Sequence, residues 1–214
     1  MNCRSILNNR TVSLLFLAAV ALYFGRGVFG VEGWLWADFT KALPVALLGV
    51  TTWLYGGNKL LPIAMLLSAA GDIAGEHGEF IYQIALFAVA HICFIAYFCR
   101  KASFKRERLW QLALWCVILV LFGGFIISNI DHTAFRIACS IYMLIIGSMA
   151  AVTLFIDSSR RWWYTVAALI FVFSDSCIAW NKFIDKFAYS GIVIMTTYFA
   201  AQLIFANLYL KEDK

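Results

Sequence analysis

Long apolar runs, broken at intervals by short polar clusters, occupy this chain from its first tenth to its end. Their lengths approach what a ~30 Å hydrocarbon core requires of a helix. They predict about eight membrane-spanning segments, at residues 12–25, 40–55, 60–75, 80–99, 109–127, 134–155, 162–180 and 187–210. Backbone polar groups cannot go unpaired in lipid, so continuous helices are expected. Only Gly56-Gly57-Asn58 ties the second span to the third, which forces an antiparallel pair. No polar stretch of domain size separates the runs. The pattern therefore predicts an all-α, polytopic transmembrane helix bundle, with residues 1–214 as a single integral membrane domain.

The first run follows Arg4 and Arg10 and has the look of a signal peptide. It has no small-residue cleavage site before Arg26, and further spans follow, so it reads as a retained helix. Composition agrees with the pattern: 63% of residues are hydrophobic and 14% charged, where a soluble domain carries about a quarter charged. Trp34, Trp36, Trp110, Trp162, Trp163 and Trp180 fall near span ends, where indole rings favour the interface. Cys3, Cys93, Cys99, Cys116, Cys139 and Cys177 form no CxxC pair. They read as small packing residues, neither a disulfide framework nor a zinc site.

Charge sets the orientation. With eight spans, Arg26, Lys41, Arg136, Lys182 and Lys186 fall on one side, and the other twelve of the 17 Lys and Arg residues fall on the side of both termini. That bias predicts cytoplasmic termini. The basic loop 100–108 belongs to the orientation signal, with anionic lipid as its alternative role.

Two residues break the apolar pattern where breaking it is costly. Asp72 and Asp175 lie inside the third and seventh spans. A carboxylate at membrane depth costs about 2.5–3.5 kcal/mol on insertion scales, and such residues face a bundle interior, where they act on a ligand or pair with a neighbour. Both spans run outward, and both aspartates lie late in them, so they are expected at similar depth in the non-cytoplasmic half. Lys41 opens the second span from the same side. Tyr142 lies in the outer part of the sixth span, and His91 and Tyr198 lie nearer the middle of the fourth and eighth. Gln202 is one helical turn from Tyr198 on the same face. An outward-opening polar cavity would collect all seven. Each also has a plainer role as interhelical glue or, for Lys41, as an interfacial anchor. Glu76 and His77 fall in a polar outer loop where solvation accounts for them, and Asp38 and Asp131 carry no special expectation.

An internal similarity points the same way. Gly71-Asp72-Ile73-Ala74 is echoed by Ser174-Asp175 with Ile178-Ala179 beyond. The span after each starts with a tyrosine, Tyr82 or Tyr189, and carries a polar residue nine positions on, His91 or Tyr198. Four helices plus four would be parallel repeats about an axis along the membrane normal.

Lys41-Ala42-Leu43-Pro44, Gly71-Asp72, His91 with Tyr97-Phe98, Phe173-Ser174-Asp175 and Thr197-Tyr198-Phe199-Ala200-Ala201-Gln202 together resemble the YhhN-like lysoplasmalogenase family. Order and spacing agree from about the second span to the last. Two departures stand out. Two residues separate Lys41 from Pro44 where the family tends to Lys-Pro, and Phe94 stands where the family often has tyrosine. The resemblance implies a multispan hydrolase that cleaves the vinyl ether bond of lysoplasmalogens, giving a fatty aldehyde and glycerophosphocholine or glycerophosphoethanolamine.

The chemistry of that reaction suits the residues. Protonating the β-carbon of a vinyl ether gives an oxocarbenium ion, which water attacks. The step needs a neutral carboxylic acid and a stabilising anion. Two neighbouring carboxyls supply both, because like charges at short range do not both ionise, and glycosidases divide the labour similarly. Asp72 and Asp175 take these roles in either order. His91 would orient or activate water, Tyr198 and Gln202 would hold it or a glycerol oxygen, and Lys41 would meet the phosphate. The partners implied are the lysophospholipid and membrane lipids, with no nucleic acid and no set oligomeric state. No cofactor or metal is called for, since one intramembrane histidine with scattered carboxylates lacks the recognised zinc-ligand patterns. A proton-coupled transporter, or a noncatalytic lipid-binding protein, would share the midplane ionisable residues. A prokaryotic plasma (inner) membrane is the expected location, because nothing resembles a sorting signal.

Overall fold

The computed structural model describes residues 10–26 and 38–212. Trp34 and Trp36, like Cys3, Arg4 and Lys214, lie outside the described residues. The described chain is helical apart from short connections and one isolated bridge between Ala102 and Ile156. Its helices are α1 (Arg10–Gly25), α2 (Phe39–Tyr55), α3 (Leu60–Glu76), α4 (Phe80–Cys99), α5 (Leu109–Ile118), α6 (Gly124–Ser128), α7 (Thr133–Thr153), α8 (Arg161–Phe183) and α9 (Ser190–Glu212). A π turn over Leu119–Gly123 joins α5 to α6. Counting that pair as one rod gives eight, each within a few residues of the segment its apolar run predicts.

Five rods are long and apolar enough to cross a membrane: Phe80–Cys99, Arg106–Ser128, Thr133–Thr153, Arg161–Phe183 and Ser190–Glu212. The 16 or 17 residues of α1, α2 and α3 rise only about 25 Å at the α-helical repeat, short of a ~30 Å core. Many large apolar side chains, Leu114, Val120, Leu121 and Leu144 among them, are exposed, as they must be where lipid rather than water is the solvent. The architecture is a helical membrane bundle.

The chain divides into two compact units. One holds the described residues through Phe94 and those from Gln202 onward; the other is Ile95–Ala201. In the first, α2 and α3 form the antiparallel pair that their short connection demands, with α1 packed on α2. Lys59 Nζ donates to the carbonyls of Trp53 (2.6 Å) and Gly56 (3.3 Å), covering the open end of α2. Asn58 Oδ1 accepts from Leu60 N (2.8 Å) at the start of α3. Tyr209, fully buried on α9, donates its hydroxyl to the Asn58 carbonyl. A Cβ at Gly56 would collide with the Tyr209 ring, so only glycine fits there.

A second pair of glycines brings α4 against α3. A Cβ at Gly71 would stand 2.8 Å from the Phe87 ring, and one at Gly75 would stand 2.5 Å from the Gln83 amide. Small residues four apart let membrane helices approach closely, and these two flank Asp72.

In the second unit, Trp115 Nε1 donates to the Gly147 carbonyl (2.9 Å) across to α7. Arg108 donates to the Leu154 and Ile156 carbonyls (3.1 and 3.2 Å) just past the end of α7, where a cation also suits the helix dipole. The π turn departs from the continuous helix expected of the fifth span. It ends at Gly123, against which the Met143 sulfur is pressed, and a widened turn of this kind is one recognised way for a helix to yield locally. Ser174 donates to the Ile194 carbonyl (3.0 Å), pinning α8 to α9.

Candidate active site

Asp72 projects from a helix face that is buried almost throughout. Leu61, Ala64, Met65, Ser68 and Ala69 share its burial, and Asp72 itself is 2% exposed. Ser68, one turn before it, returns its hydroxyl to the Ala64 carbonyl (2.9 Å). One turn after it stands Glu76, the last residue of α3.

Glu76 corrects an expectation. It is not a solvated loop residue but the centre of an ion cluster: its Oε1 lies 2.6 Å from Arg26 and its Oε2 3.6 Å from Lys41 Nζ. Arg26 also lies over the Tyr23 ring, 4.5 Å from its centre, and Tyr23 is within charge range of Arg26, Glu76 and Asp72. His77 is likewise engaged, its Nδ1 3.6 Å from Asp38 Oδ2. The sequence reading missed Arg26, Tyr23 and Glu76. The available signal was the four-residue step from Asp72 to Glu76, which puts both on one helix face.

His91 is fully buried on α4. Its Nδ1 lies 2.6 Å from the Phe87 carbonyl. A carbonyl only accepts, so Nδ1 carries the hydrogen and Nε2 holds the lone pair in the neutral ring. Phe87 is also the residue whose ring lies against Gly71, beside Asp72. Phe94 packs between His91 and Phe205, its ring centre 6.1 and 5.2 Å from theirs. Gln202 is fully buried, and neither its amide oxygen nor its nitrogen has a hydrogen-bond partner. A buried orphan amide of this kind marks a place for a water or a ligand.

The second unit brings three of the expected residues together. The Tyr142 hydroxyl, from α7, donates to Asp175 Oδ2 on α8, and Tyr142 is within interaction range of Tyr198 on α9. Tyr198 is buried, edge-on to Phe171 at 5.3 Å between ring centres. The Ser174 bond to Ile194 fixes α8 to α9 one turn before Tyr198. Among the described residues, no group of three or more His, Cys, Asp and Glu side chains gathers as a metal-ligand set.

Comparison with known proteins gives consistent results. Mouse lysoplasmalogenase TMEM86B is 30% identical over 197 residues, covering 88% of this chain and 82% of that protein. The human TMEM86B enzyme is 29% identical over 196 residues, covering 88% and 82%. A lysoplasmalogenase of Mycobacterium bovis is 27% identical over 158 residues, covering 69% and 59%. No solved structure gives a significant match. The YhhN family profile matches residues 36–208, a span that takes in Asp72, Asp175 and most of the helices described above, and the chain belongs to the YhhN family.

Proposed function

We propose that this multi-pass membrane protein hydrolyses the vinyl ether bond of lysoplasmalogens, as the relatives' names state for them. The products are a fatty aldehyde and the glycerophospho-base. The observation that carries this reading is a carboxyl withdrawn from solvent inside an apolar helix, Asp72, in a chain of this family. An acid kept in such surroundings can remain neutral and still give up its proton to carbon.

The steps are these. A carboxylic acid, Asp72 or Asp175, protonates the β-carbon of the alkenyl chain, leaving an oxocarbenium ion. The other carboxylate stabilises that cation and takes a proton from the attacking water. The hemiacetal then breaks its bond to the glycerol oxygen, which takes up a proton, and the aldehyde departs. His91 orients water through Nε2, Tyr198 and Gln202 hold water or a glycerol oxygen, Tyr142 fixes Asp175, and Lys41 meets the phosphate. The orphan amide of Gln202 supports its part, and the tyrosine hydrogen bond supports that of Asp175. The reading needs both carboxylates to serve one substrate molecule. The membrane we assign is a prokaryotic plasma membrane, and the charge bias supports cytoplasmic chain ends and a cavity opening outward.

Purified protein incubated with a lysoplasmalogen should release aldehyde, and the saturated alkyl ether analogue should remain intact because it cannot be protonated at carbon. Equal turnover of the two would rule out the acid route.

A further inference from the structure

Three helix ends meet in the first unit: Arg26 just beyond α1, Lys41 in the first turn of α2, and Glu76 closing α3. Their side chains are 19%, 14% and 21% exposed, sheltered yet reachable. Two cations face one carboxylate, so the cluster carries one positive charge in excess. Its contacts leave donors to spare. The guanidinium has five N–H groups and the ammonium three. Glu76 engages one arm of Arg26 at 2.6 Å, and at 3.6 Å from Lys41 it is beyond hydrogen-bond length. Stacking on Tyr23 holds the guanidinium in place. A planar guanidinium so held is the side chain best suited to grip a phosphate by two bonds.

The geometry points to Arg26, with Lys41, as the anchor for the phosphate of the lysolipid, with Glu76 as the positioning residue that holds the two cations side by side. This rests on the hydrolase reading and adds a length argument to it. Glu76 is four residues beyond Asp72, a rise of about 6 Å along the helix. In a 1-alkenyl-glycerophospholipid, five single bonds separate the vinyl ether oxygen from phosphorus, about 6 Å when extended. A phosphate held at the level of Glu76 therefore sets the reacting double bond at the depth of Asp72. Of the three residues, Lys41 and Glu76 lie within residues 36–208, the span matched by the family, and Arg26 precedes it.

The test compares two substrates, 1-alkenyl-glycero-3-phosphoethanolamine and 1-alkenylglycerol, which lacks the phosphate. Wild-type enzyme should favour the first. Arg26→Gln should reduce that ratio of kcat/KM tenfold or more, chiefly through KM, and Arg26→Lys should restore part of it. An unchanged ratio in Arg26→Gln, with a wild-type melting midpoint, overturns the proposal. If wild-type enzyme cleaves neither substrate, the hydrolase reading has failed, and the anchor is tested by thermal shift instead. The alkyl ether lysophospholipid should then stabilise wild type more than 1-alkylglycerol does, and Arg26→Gln should lose that difference. Equal stabilisation by the two overturns the anchor. Stabilisation by inorganic phosphate as large as by the lysophospholipid would make the cluster a free-anion site and overturn it as well.

Discussion

Asp72 is 2% exposed on α3, between two glycines that draw α4 close and one turn below an ion cluster. Asp175 is half-buried on α8 and receives a hydroxyl from Tyr142 directly on Oδ2. Asp72 lies on a helix face beside two glycines against which α4 side chains pack, and Asp175 accepts a hydroxyl from the neighbouring helix. The contrast teaches that two chemically identical groups can sit in differently built surroundings, beside close-packing glycines in one unit and at a tyrosine hydroxyl in the other. Their sensitivities to substitution should differ accordingly.

The largest effects are expected from the carboxyls themselves. Asp72→Asn and Asp175→Asn should each reduce aldehyde release by about a thousandfold, within the usual range for a general acid or base, with melting midpoints retained. The double variant should be little worse than either single one if the two act as a unit. Full activity in either single variant removes that residue from the mechanism.

Tyr142→Phe addresses only the Asp175 side. Removing a hydrogen bond to a charged group costs about 1.5–3 kcal/mol, so a 10- to 100-fold loss of kcat is expected, and a change under threefold would leave the tyrosine a packing role. On the Asp72 side the corresponding weak point is steric. Gly71→Ala would drive a methyl into the Phe87 ring and should destabilise by about 1–3 kcal/mol, read as a lower melting temperature in detergent, with Phe87→Leu restoring part of it. Ser174→Ala, which cuts the tie to the Ile194 carbonyl, should cost least, about 0.6 kcal/mol by the average for such bonds in membranes. A loss of more than 2 kcal/mol would show that the serine does more than tie helices.

Much of this was legible in the sequence because lipid imposes a plain grammar. Apolar length alone located all eight rods, and α4 runs Phe80–Cys99 as the pattern predicts. Tyr142 and Asp175 were both expected in the outer halves of their spans, but the hydrogen bond between them was not anticipated. What escaped was local. The π turn at Leu119–Gly123 ends where Met143 meets Gly123, a contact that no one-dimensional pattern records. Glu76 was misread because a charged residue at a span end is ordinarily solvated, and only the arrival of Arg26 from α1 and Lys41 from α2 turns it inward.

The first compact unit takes its final piece, Gln202 onward, from the far end of the chain. During synthesis, Ile95–Ala201 is therefore complete while the earliest hairpin still awaits a partner that the ribosome has not yet made. The bond from the Tyr209 hydroxyl to Asn58 forms only after residue 209 has been made, so this unit is not assembled in the order of its sequence. Nascent chains arrested before residue 202 would leave their own beginning unfinished.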